Sequence, residues 1–318
     1  MDSSAPLISI PEASAPAGAT AEWVIGGDGA RLRAAWFPLA TASRGTVVLS
    51  PGRTEPIEKY FETIDDLHGR GFQVLAHDWR GQGLSQRALP DRLKGHAEGV
   101  EPFLADFQRV LDAFSDRLTH PLIALSHSMG GGLTLLAMAR GETRFDATIL
   151  TAPMLAVSTA PAPRELVAMG ASFMRMTSLG SEYAIKGQDP LAESFEGNRL
   201  THDRARFDRY RAQLRACPDL ALGGLTWGWL DFALHLETAM GETGLLESVA
   251  APVRIVAAGQ EQLVLNEPMR RAAERLAKAT YVEIPGALHE ILMETDDLRD
   301  PFWQAFDQLA AELSPPPA

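Results

Sequence analysis

The sequence predicts an α/β protein in which a mostly parallel central sheet carries helices on both faces, with a helical cap inserted into it. Three observations predict this fold class. Short apolar strands alternate with helix-length segments up to about residue 153 and again after about residue 250, which is the pattern of consecutive βαβ units. Between these stretches the strand signal lapses over a segment too long for a loop. The composition, 46% hydrophobic and 22% charged among 318 residues, is that of a globular protein.

The core elements follow from this alternation. Residues 1–20 are rich in Ser, Ala and Pro, and we expect a loosely ordered leader there. Strands at 22–25 and 31–39 then flank Gly26-Gly27-Asp28-Gly29, which is typical of a hairpin. The other predicted strands cover 46–50, 72–76, 122–125, 147–151, 253–257 and 281–284. The predicted core helices cover about 55–69, 100–118, 130–140, 267–278 and 302–313.

Residues 154–249 are interpreted as a helical cap, or lid, between the two parts of a core domain that covers 21–153 and 250–318. Apolar residues recur there at helical spacing and without strand alternation. One such segment contains Met169, Phe173, Met174 and Met176, and another contains Phe207, Tyr210 and Leu214.

Charge and cysteine content restrict the function. The net charge of −12, from 29 basic and 41 acidic residues, argues against nucleic acid or an anionic bilayer as the main partner. The single cysteine, Cys217, excludes an intramolecular disulfide and a cysteine-based zinc cluster. No basic residue precedes Arg31 and no apolar block of signal-peptide length lies before it, so we predict a cytoplasmic protein. The uncharged stretch 121–139 contains Ser, His and three successive glycines, and it makes a poor transmembrane helix.

The sharpest signal for chemistry is Leu125-Ser-His-Ser-Met-Gly-Gly131, between an apolar strand and an apolar helix. This is the setting of a nucleophile elbow, a tight turn that needs small residues two positions before and after its central residue. Ser126 and Gly130 meet that need, with Ser126 in place of the usual glycine. Ser128 is therefore the candidate nucleophile. The alternative is a Gly- and Ser-rich turn without chemistry.

A serine hydroxyl needs a base, and in this chain order the base follows the last strand, after an acid. His289 lies just past strand 281–284 and is the candidate base, unless it is a surface-loop histidine. The acid should follow strand 253–257, where Glu261 is the carboxylate that precedes the next helix. It would orient the imidazole, unless it is an ordinary solvated side chain. The other place for an acid, 152–154, contains no carboxylate.

Acyl transfer also needs two preorganised N–H donors for the oxyanion. One should be the backbone N–H of Met129, which follows the nucleophile at a helix start. The second should come from loop 50–55 after the first parallel strand, where Gly52 allows close approach of the backbone. We assign it to the N–H of Arg53; the alternative is an ordinary helix-entry turn.

With these residues the chain resembles the serine-dependent α/β-hydrolases of the lysophospholipase and monoacylglycerol lipase family, and among them the bacterial PldB-type lysophospholipases. It departs from the family in having Pro51-Gly52 where His-Gly is frequent, and Glu261 where Asp is frequent. The resemblance is carried by Pro51–Glu55 with Lys59-Tyr60, Asp78–Gly83, Ser126–Gly131, Leu150–Met154, Tyr183–Ile185, Leu200–His202, Gly223-Gly224 with Trp229, Glu261 with Val264, and His289–Leu292.

The resemblance implies a lysophospholipase or monoacylglycerol lipase that cleaves esters of single-chain acyl lipids, needs no metal or organic cofactor, and contacts membrane lipid peripherally. Phe173, Met174, Trp227 and Trp229 would line an acyl-binding cleft, although such residues equally form the core of any cap. A small-ester esterase, an S33-type peptidase with the same triad, or a catalytically silent binding protein are the alternatives. An aspartate-nucleophile dehalogenase or epoxide hydrolase is disfavoured because Ser128 occupies the elbow.

Six arginines lie within residues 199–216. On a helix, Arg204, Arg211 and Arg215 share one face and could receive a lysophospholipid phosphate or touch an anionic membrane surface. We favour the simpler interpretation, a solvated helix face balanced by neighbouring acids.

Overall fold

The computed structural model describes residues 3–313, and these residues form strands and α-helices in alternation through most of their length. The strands are β1 (Ser4–Ala5), β2 (Thr20–Ile25), β3 (Arg31–Phe37), β4 (Gly45–Ser50), β5 (Phe72–His77), β6 (Leu122–His127), β7 (Ala147–Thr151), β8 (Tyr183–Ile185), β9 (Leu225–Thr226), β10 (Val253–Ala258) and β11 (Ala279–Ile284). The helices are α1 (Phe61–Gly69), α2 (Glu101–Ala113), α3 (Ser128–Ala139), α4 (Arg164–Met176), α5 (Arg204–Ala216), α6 (Trp227–Met240), α7 (Asn266–Arg275) and α8 (Asp296–Leu313).

Nine strands form one sheet in the order β1-β2-β3-β5-β4-β6-β7-β10-β11. The six strands from β5 to β11 in that order pair in parallel, whereas β1, β2 and β3 form an antiparallel edge. The mostly parallel sheet is therefore confirmed, and so is the hairpin, which β2 and β3 form. β8 and β9 make a separate antiparallel pair.

Helices cover both faces of the sheet, as predicted. Alternate residues of β4 show this, because Val48 packs on one side and Val47 and Leu49 pack on the other. Side chains of α2, α3, α6 and α7 join the cluster around Val48, whereas α1 and α8 join the opposite cluster. The sheet is thus buried on both faces, and the carboxyl ends of its parallel strands are left to carry the site.

The N-terminal segment makes more contacts than a loosely ordered leader would. β1 pairs with β2 at the sheet edge, and Ala13 is buried. The carbonyl oxygen of Pro6 accepts a hydrogen bond from Arg33 Nη1 (3.0 Å), and the N–H of Ile8 donates to Glu58 Oε1 (3.1 Å). The segment is therefore held by the buried ion pair of Arg33 and Glu58. A composition rich in Ser, Ala and Pro does not predict such contacts.

Residues 154–249 hold α4, α5, α6 and the β8–β9 pair, so the predicted helical character is confirmed. α6 packs against α3, where a Cβ added to Gly132 would lie 2.9 Å from Leu236 Cδ2. Phe207, Tyr210 and Leu214 form a buried stripe on α5, at the predicted spacing. The role of residues 154–249 as a cap, or lid, over the core domain stays a prediction.

None of the helices within residues 3–313 combines the length and apolar character needed to cross a bilayer.

Candidate active site

Ser128 lies at the sharp turn between β6 and α3 and has a positive φ of 48°. Such a conformation is strained for a non-glycine residue and projects the side chain out of the turn. Space here is minimal, since a Cβ at Gly130 would lie 2.4 Å from the carbonyl oxygen of Pro51. Ser126 fits in place of the usual glycine because its buried hydroxyl pairs with that of Thr134 at 2.9 Å.

The structure brings Ser128, His289 and Glu261 together from three different loops. The Ser128 hydroxyl lies 2.9 Å from His289 Nε2, and His289 Nδ1 lies 2.7 Å from Glu261 Oε2. Because a carboxylate can only accept, the imidazole proton is on Nδ1 and Nε2 is free to accept the serine proton. Ser128 and His289 are both buried, which shields these hydrogen bonds from water.

Glu261 is held as an ionised carboxylate. Its Oε1 accepts from the backbone N–H groups of Gln262 (2.9 Å), Leu263 (2.8 Å) and Val264 (3.4 Å). Burial acts to raise the pKa of Glu261, but the hydrogen bond and charge of His289, together with these N–H donors, outweigh it and place the pKa below its ordinary value.

His127, next to the nucleophile, competes in sequence for the role of base and is excluded by its partners. Its Nδ1 donates to the carbonyl oxygen of Thr151 at 3.0 Å, and its ring centroid lies 4.8 Å from that of His289. Burial lowers the pKa of His127 to about 4, so the ring is neutral at physiological pH. Its hydrogen bonds to Thr151 join the end of β6 to the end of β7.

The loop after β4 passes directly over the nucleophile. A Cβ at Gly52 would lie 2.8 Å from His127 Cδ2 and 3.1 Å from Ser128 Cβ, so only glycine leaves room. Glu55 Oε2 accepts from the Gly52 N–H at 2.6 Å, and Gln82 Oε1 accepts from the Thr54 N–H at 2.6 Å. The N–H groups of Arg53 and Met129 donate to no other residue in the described range. Neither N–H is thus committed to another acceptor, and their assignment to the oxyanion stays a prediction.

A buried ionic cluster, which sequence reasoning missed, joins this loop to the histidine loop. Lys59 Nζ donates to Glu55 Oε1 at 2.7 Å and to Glu290 Oε1 at 2.5 Å, and Tyr60 donates to Glu55 Oε2 at 2.6 Å. Burial opposes charge on Lys59, but the two carboxylates outweigh it and raise its pKa. Lys59, Tyr60 and Glu290 stood out only through the family resemblance. The available signal was the Glu55–Lys59 pair at helical spacing.

The two carboxyl groups of this cluster, Glu55 and Glu290, have pKa values that are shifted in opposite directions. The pKa of Glu290 is raised by burial and by the nearby charge of Glu55. The pKa of Glu55 falls to about 2, because the charge of Lys59 and the hydrogen bonds from Lys59 and Tyr60 outweigh the effect of burial. Glu55 therefore stays ionised and holds the backbone of the oxyanion loop, while Glu290 is the carboxyl that takes up a proton first.

The four residues expected to line an acyl cleft lie in different surroundings. Trp229 is buried, and Trp227 and Met174 are half-buried. Phe173, however, is 65% exposed. On α4 the one buried residue is Ala171, and Phe173 lies on the outer face of the helix. The structure therefore does not place Phe173 in a cleft.

The arginine stripe on α5 is largely neutralised. Arg204 pairs with Glu196 at 2.8 Å and with Asp208 at 3.2 Å. Arg211 is buried, pairs with Glu193, and donates to the carbonyl oxygen of Pro190 at 2.8 Å. The balance by neighbouring acids agrees with the simpler interpretation, but the face is not solvated throughout, because Arg211 is buried.

Residues 41–296 match the model of the family described as serine aminopeptidase, S33. The chain is 34% identical over 275 residues to lysophospholipase L2 of Escherichia coli K12, covering 80% of this chain and 76% of that one. It is 26% identical over 264 residues to a monoacylglycerol lipase of Mycolicibacterium smegmatis, covering 82% and 86% of the two chains.

Two solved structures establish the similarity of fold. A soluble variant of the Saccharomyces cerevisiae monoglyceride lipase, in complex with a substrate analogue, has a TM-score of 0.75 and 21% identity, covering 98% of this chain and 100% of that one. The Paleococcus ferrophilus monoacylglycerol lipase has a TM-score of 0.68 and 23% identity, covering 88% and 98%. The α/β-hydrolase fold that the sequence predicts is confirmed.

Proposed function

The chain belongs to the serine aminopeptidase S33 family, and from that premise we propose that it is a lipase of single-chain acyl lipids, a lysophospholipase or monoacylglycerol lipase. The lysophospholipase and monoacylglycerol lipase relatives make it a carboxylic ester hydrolase. The observation that carries the proposal is the unbroken hydrogen-bond chain from Ser128 Oγ through His289 to Glu261, with two free N–H donors alongside.

In the acylation step, Ser128 Oγ attacks the carbonyl carbon of the ester while its proton passes to His289 Nε2. Glu261 holds the Nδ1–H and stabilises the imidazolium that forms. The carbonyl oxygen becomes an oxyanion and is bound by the N–H groups of Arg53 and Met129. The tetrahedral intermediate then collapses, the bond to the alcohol oxygen breaks, and that oxygen takes the proton from His289.

In the deacylation step the same groups act on water. His289 Nε2 accepts a proton from a water molecule, whose oxygen attacks the acyl carbon on Ser128. The second oxyanion uses the same two N–H donors. When it collapses, the proton returns to Ser128 Oγ and the fatty acid leaves. Every proton transfer in this cycle uses residues of the chain.

We also infer peripheral contact with lipid, through the outer face of α4. Leu166, Met169, Phe173 and Met176 are each more than half exposed and recur at helical spacing. A large apolar stripe on an exposed amphipathic helix suits the interface between headgroups and acyl chains. A lipase that takes its substrate from an aggregate needs such a surface near its site. Cytoplasmic location stays a prediction from the sequence.

The proposed function is tested by measuring which class of substrate the protein hydrolyses best. Hydrolysis rates are compared for 1-palmitoyl lysophosphatidylcholine, 1-monopalmitoylglycerol, p-nitrophenyl acetate and an aminoacyl p-nitroanilide. The proposal expects the two lipids to give the highest kcat/KM, and the anilide to give none above background. A higher kcat/KM on the anilide would replace the lipase proposal with a peptidase, and one on the acetate would replace it with a small-ester esterase.

A further inference from the structure

Arg53 belongs to the loop that passes over the nucleophile, but its guanidinium has no part in acyl transfer. Nη2 donates a 2.5 Å hydrogen bond to the carbonyl oxygen of Gly223, and Cζ lies 5.2 Å from the centre of the Trp229 ring. Nε is buried and has no acceptor among the residues that the structure describes. Of the five N–H donors on this group, one is thus accounted for.

No carboxylate in residues 3–313 balances this charge. By contrast, the buried Arg33 pairs with Glu58 and Asp78. Arg53 is half-buried, and a guanidinium partly removed from water without a counter-charge is unfavourable; burial lowers the pKa of Arg53 to about 10. The group is still protonated at neutral pH. Arg53 therefore carries a positive charge without a carboxylate partner and has unused donors.

Arg87 is the instructive comparison, because it is also half-buried and has no carboxylate partner. Its side chain donates to three backbone carbonyl oxygens, those of Arg92, Asp219 and Ala221, each at 3.1 Å. Those contacts tie two loops together and give Arg87 a structural role. Arg53 makes one such contact, so structure alone does not explain its charge.

The position of Arg53 relates its side chain to the reacting ester. It follows Gly52, which lies against Ser128, and its own N–H is assigned to the oxyanion. The side chain leads from there to Gly223 and Trp229 of the segment between β7 and β10. A Cβ at Gly95 would lie 2.4 Å from Arg53 Nη2, so the glycine leaves space for the guanidinium.

We propose that the Arg53 guanidinium is a phosphate-binding group of the substrate site, which selects lysophospholipids over uncharged monoacylglycerols. This inference rests on the proposed function, because it places a single-chain lipid ester at Ser128. In a 1-acyl lysophospholipid, the chain of bonds from the ester oxygen to phosphorus is as long as that from Cα to Cζ of arginine. A carbonyl held by the Arg53 N–H therefore brings the phosphate within reach of the same residue, and guanidinium binds phosphate in bidentate geometry.

The test keeps the oxyanion contact and removes the charge. R53Q retains the backbone N–H, and because Arg53 also belongs to the oxyanion loop, the readout is the ratio of kcat/KM on 1-palmitoyl lysophosphatidylcholine to kcat/KM on 1-monopalmitoylglycerol. For R53Q we expect this ratio to fall about 10- to 100-fold, the loss typical of a charge-assisted hydrogen bond. R53K keeps the positive charge but loses the planar guanidinium, so its ratio of kcat/KM on the two lipids should lie between the values of the wild type and R53Q. R204Q, which removes an exposed arginine of α5, is the charge-matched control and should alter neither rate.

A binding measurement works without turnover and separates this inference from the proposed function. Glycerol 3-phosphate should raise the melting temperature of the wild-type protein, whereas glycerol should not, and R53Q should lose the shift. A wild-type protein that cleaves neither lipid but shows this Arg53-dependent shift would overturn the lipase proposal and support the phosphate site. Inorganic phosphate giving an equal shift would identify a free-phosphate site and overturn the headgroup assignment.

Two outcomes would overturn the role of Arg53. If R53Q melts at the wild-type temperature yet loses activity equally on both lipids, the side chain is structural. If it loses activity on neither and keeps the glycerol 3-phosphate shift, the phosphate lies elsewhere. Should R53Q fail to fold, R53K and the wild-type binding measurement decide between the same alternatives.

Discussion

Glu261 fills the position at which similar hydrolases frequently have aspartate, and its surroundings fit the longer side chain. One carboxylate oxygen is held by the N–H groups of Gln262 and Leu263, and the other contacts His289 at 2.7 Å. Both oxygens are thus fixed by hydrogen bonds that require the ionised form. This is consistent with the depressed pKa, and it keeps the carboxylate charged throughout the pH range in which the imidazole is to act as a base.

Replacing Glu261 by glutamine tests this assignment at the residue scale. E261Q removes the charge and allows the imidazole to adopt the other tautomer, so kcat should fall about 10²- to 10⁴-fold with little change in KM. E261D keeps the charge but shortens the reach to His289, so its loss should be smaller. E267Q, on the exposed first turn of α7, is the matched control. Wild-type kcat in E261Q would mean that the acid lies elsewhere.

Residues whose roles depend on chain order could be predicted, and residues whose roles depend on distant contacts could not. Ser128, Glu261 and His289 each follow a recognisable strand, so their positions at one edge of the sheet follow from the topology. The contact between Lys59 and Glu290 joins residues 231 positions apart, which no local pattern encodes. The unpaired state of Arg53 is likewise visible only once the positions of all carboxylates are known.

At the scale of elements, α4 stands apart from the helices of the core. A single residue, Ala171, is buried on it, although its apolar content is that of a core helix. Large apolar side chains that are more than half exposed suit a surface that meets lipid. The sequence pattern of Met and Phe gave the helix correctly, but it could not distinguish an inward face from an outward one.

The proposed lipid contact of α4 predicts a defined loss of binding. The double variant F173S/M176S should bind phosphatidylcholine vesicles about tenfold more weakly or worse, because two large side chains leave the apolar phase. Hydrolysis of a monomeric short-chain ester should not change. I25S, which replaces another exposed apolar residue at the end of β2, is the control. Equal binding of all three proteins to vesicles, by co-flotation, would exclude α4 as the contact.

The sequence pattern predicted the first residues of helices less accurately than the helices themselves. The predicted helix at 55–69 begins as a 3-10 turn at Ile57–Tyr60 and becomes α1 at Phe61. α8 starts at Asp296 and not at 302, with Pro301 inside it. Proline usually marks a helix start, but here ion pairs of Asp296 with Arg206 and Arg299 hold the preceding turn. Partners from α5 outweigh the local signal.

At the scale of the whole molecule, the alternation of strands and helices in the sequence predicted the fold class, but the order of the strands in the sheet depends on long-range strand pairing. Parallel strands with helices on both faces follow from the sequence pattern, because each βαβ unit must bury two faces. The placement of β5 between β3 and β4 rests on long-range pairing, which no segment encodes alone. This order sets β4, β6, β7, β10 and β11 side by side, so that loops far apart in sequence meet at one edge.

The most direct measurement of the central claim is a double-mutant cycle on ester hydrolysis with S128A, H289A and S128A/H289A, alongside labelling by a fluorophosphonate. Members of a triad act as a unit, so each single variant should lose several orders of magnitude in kcat and the double variant should lose little more. The probe should label the wild-type protein and the surface control S115A, but not S128A. Losses that multiply in the double variant, or labelling that persists in S128A, would contradict the assignment of Ser128 and His289 as one catalytic unit.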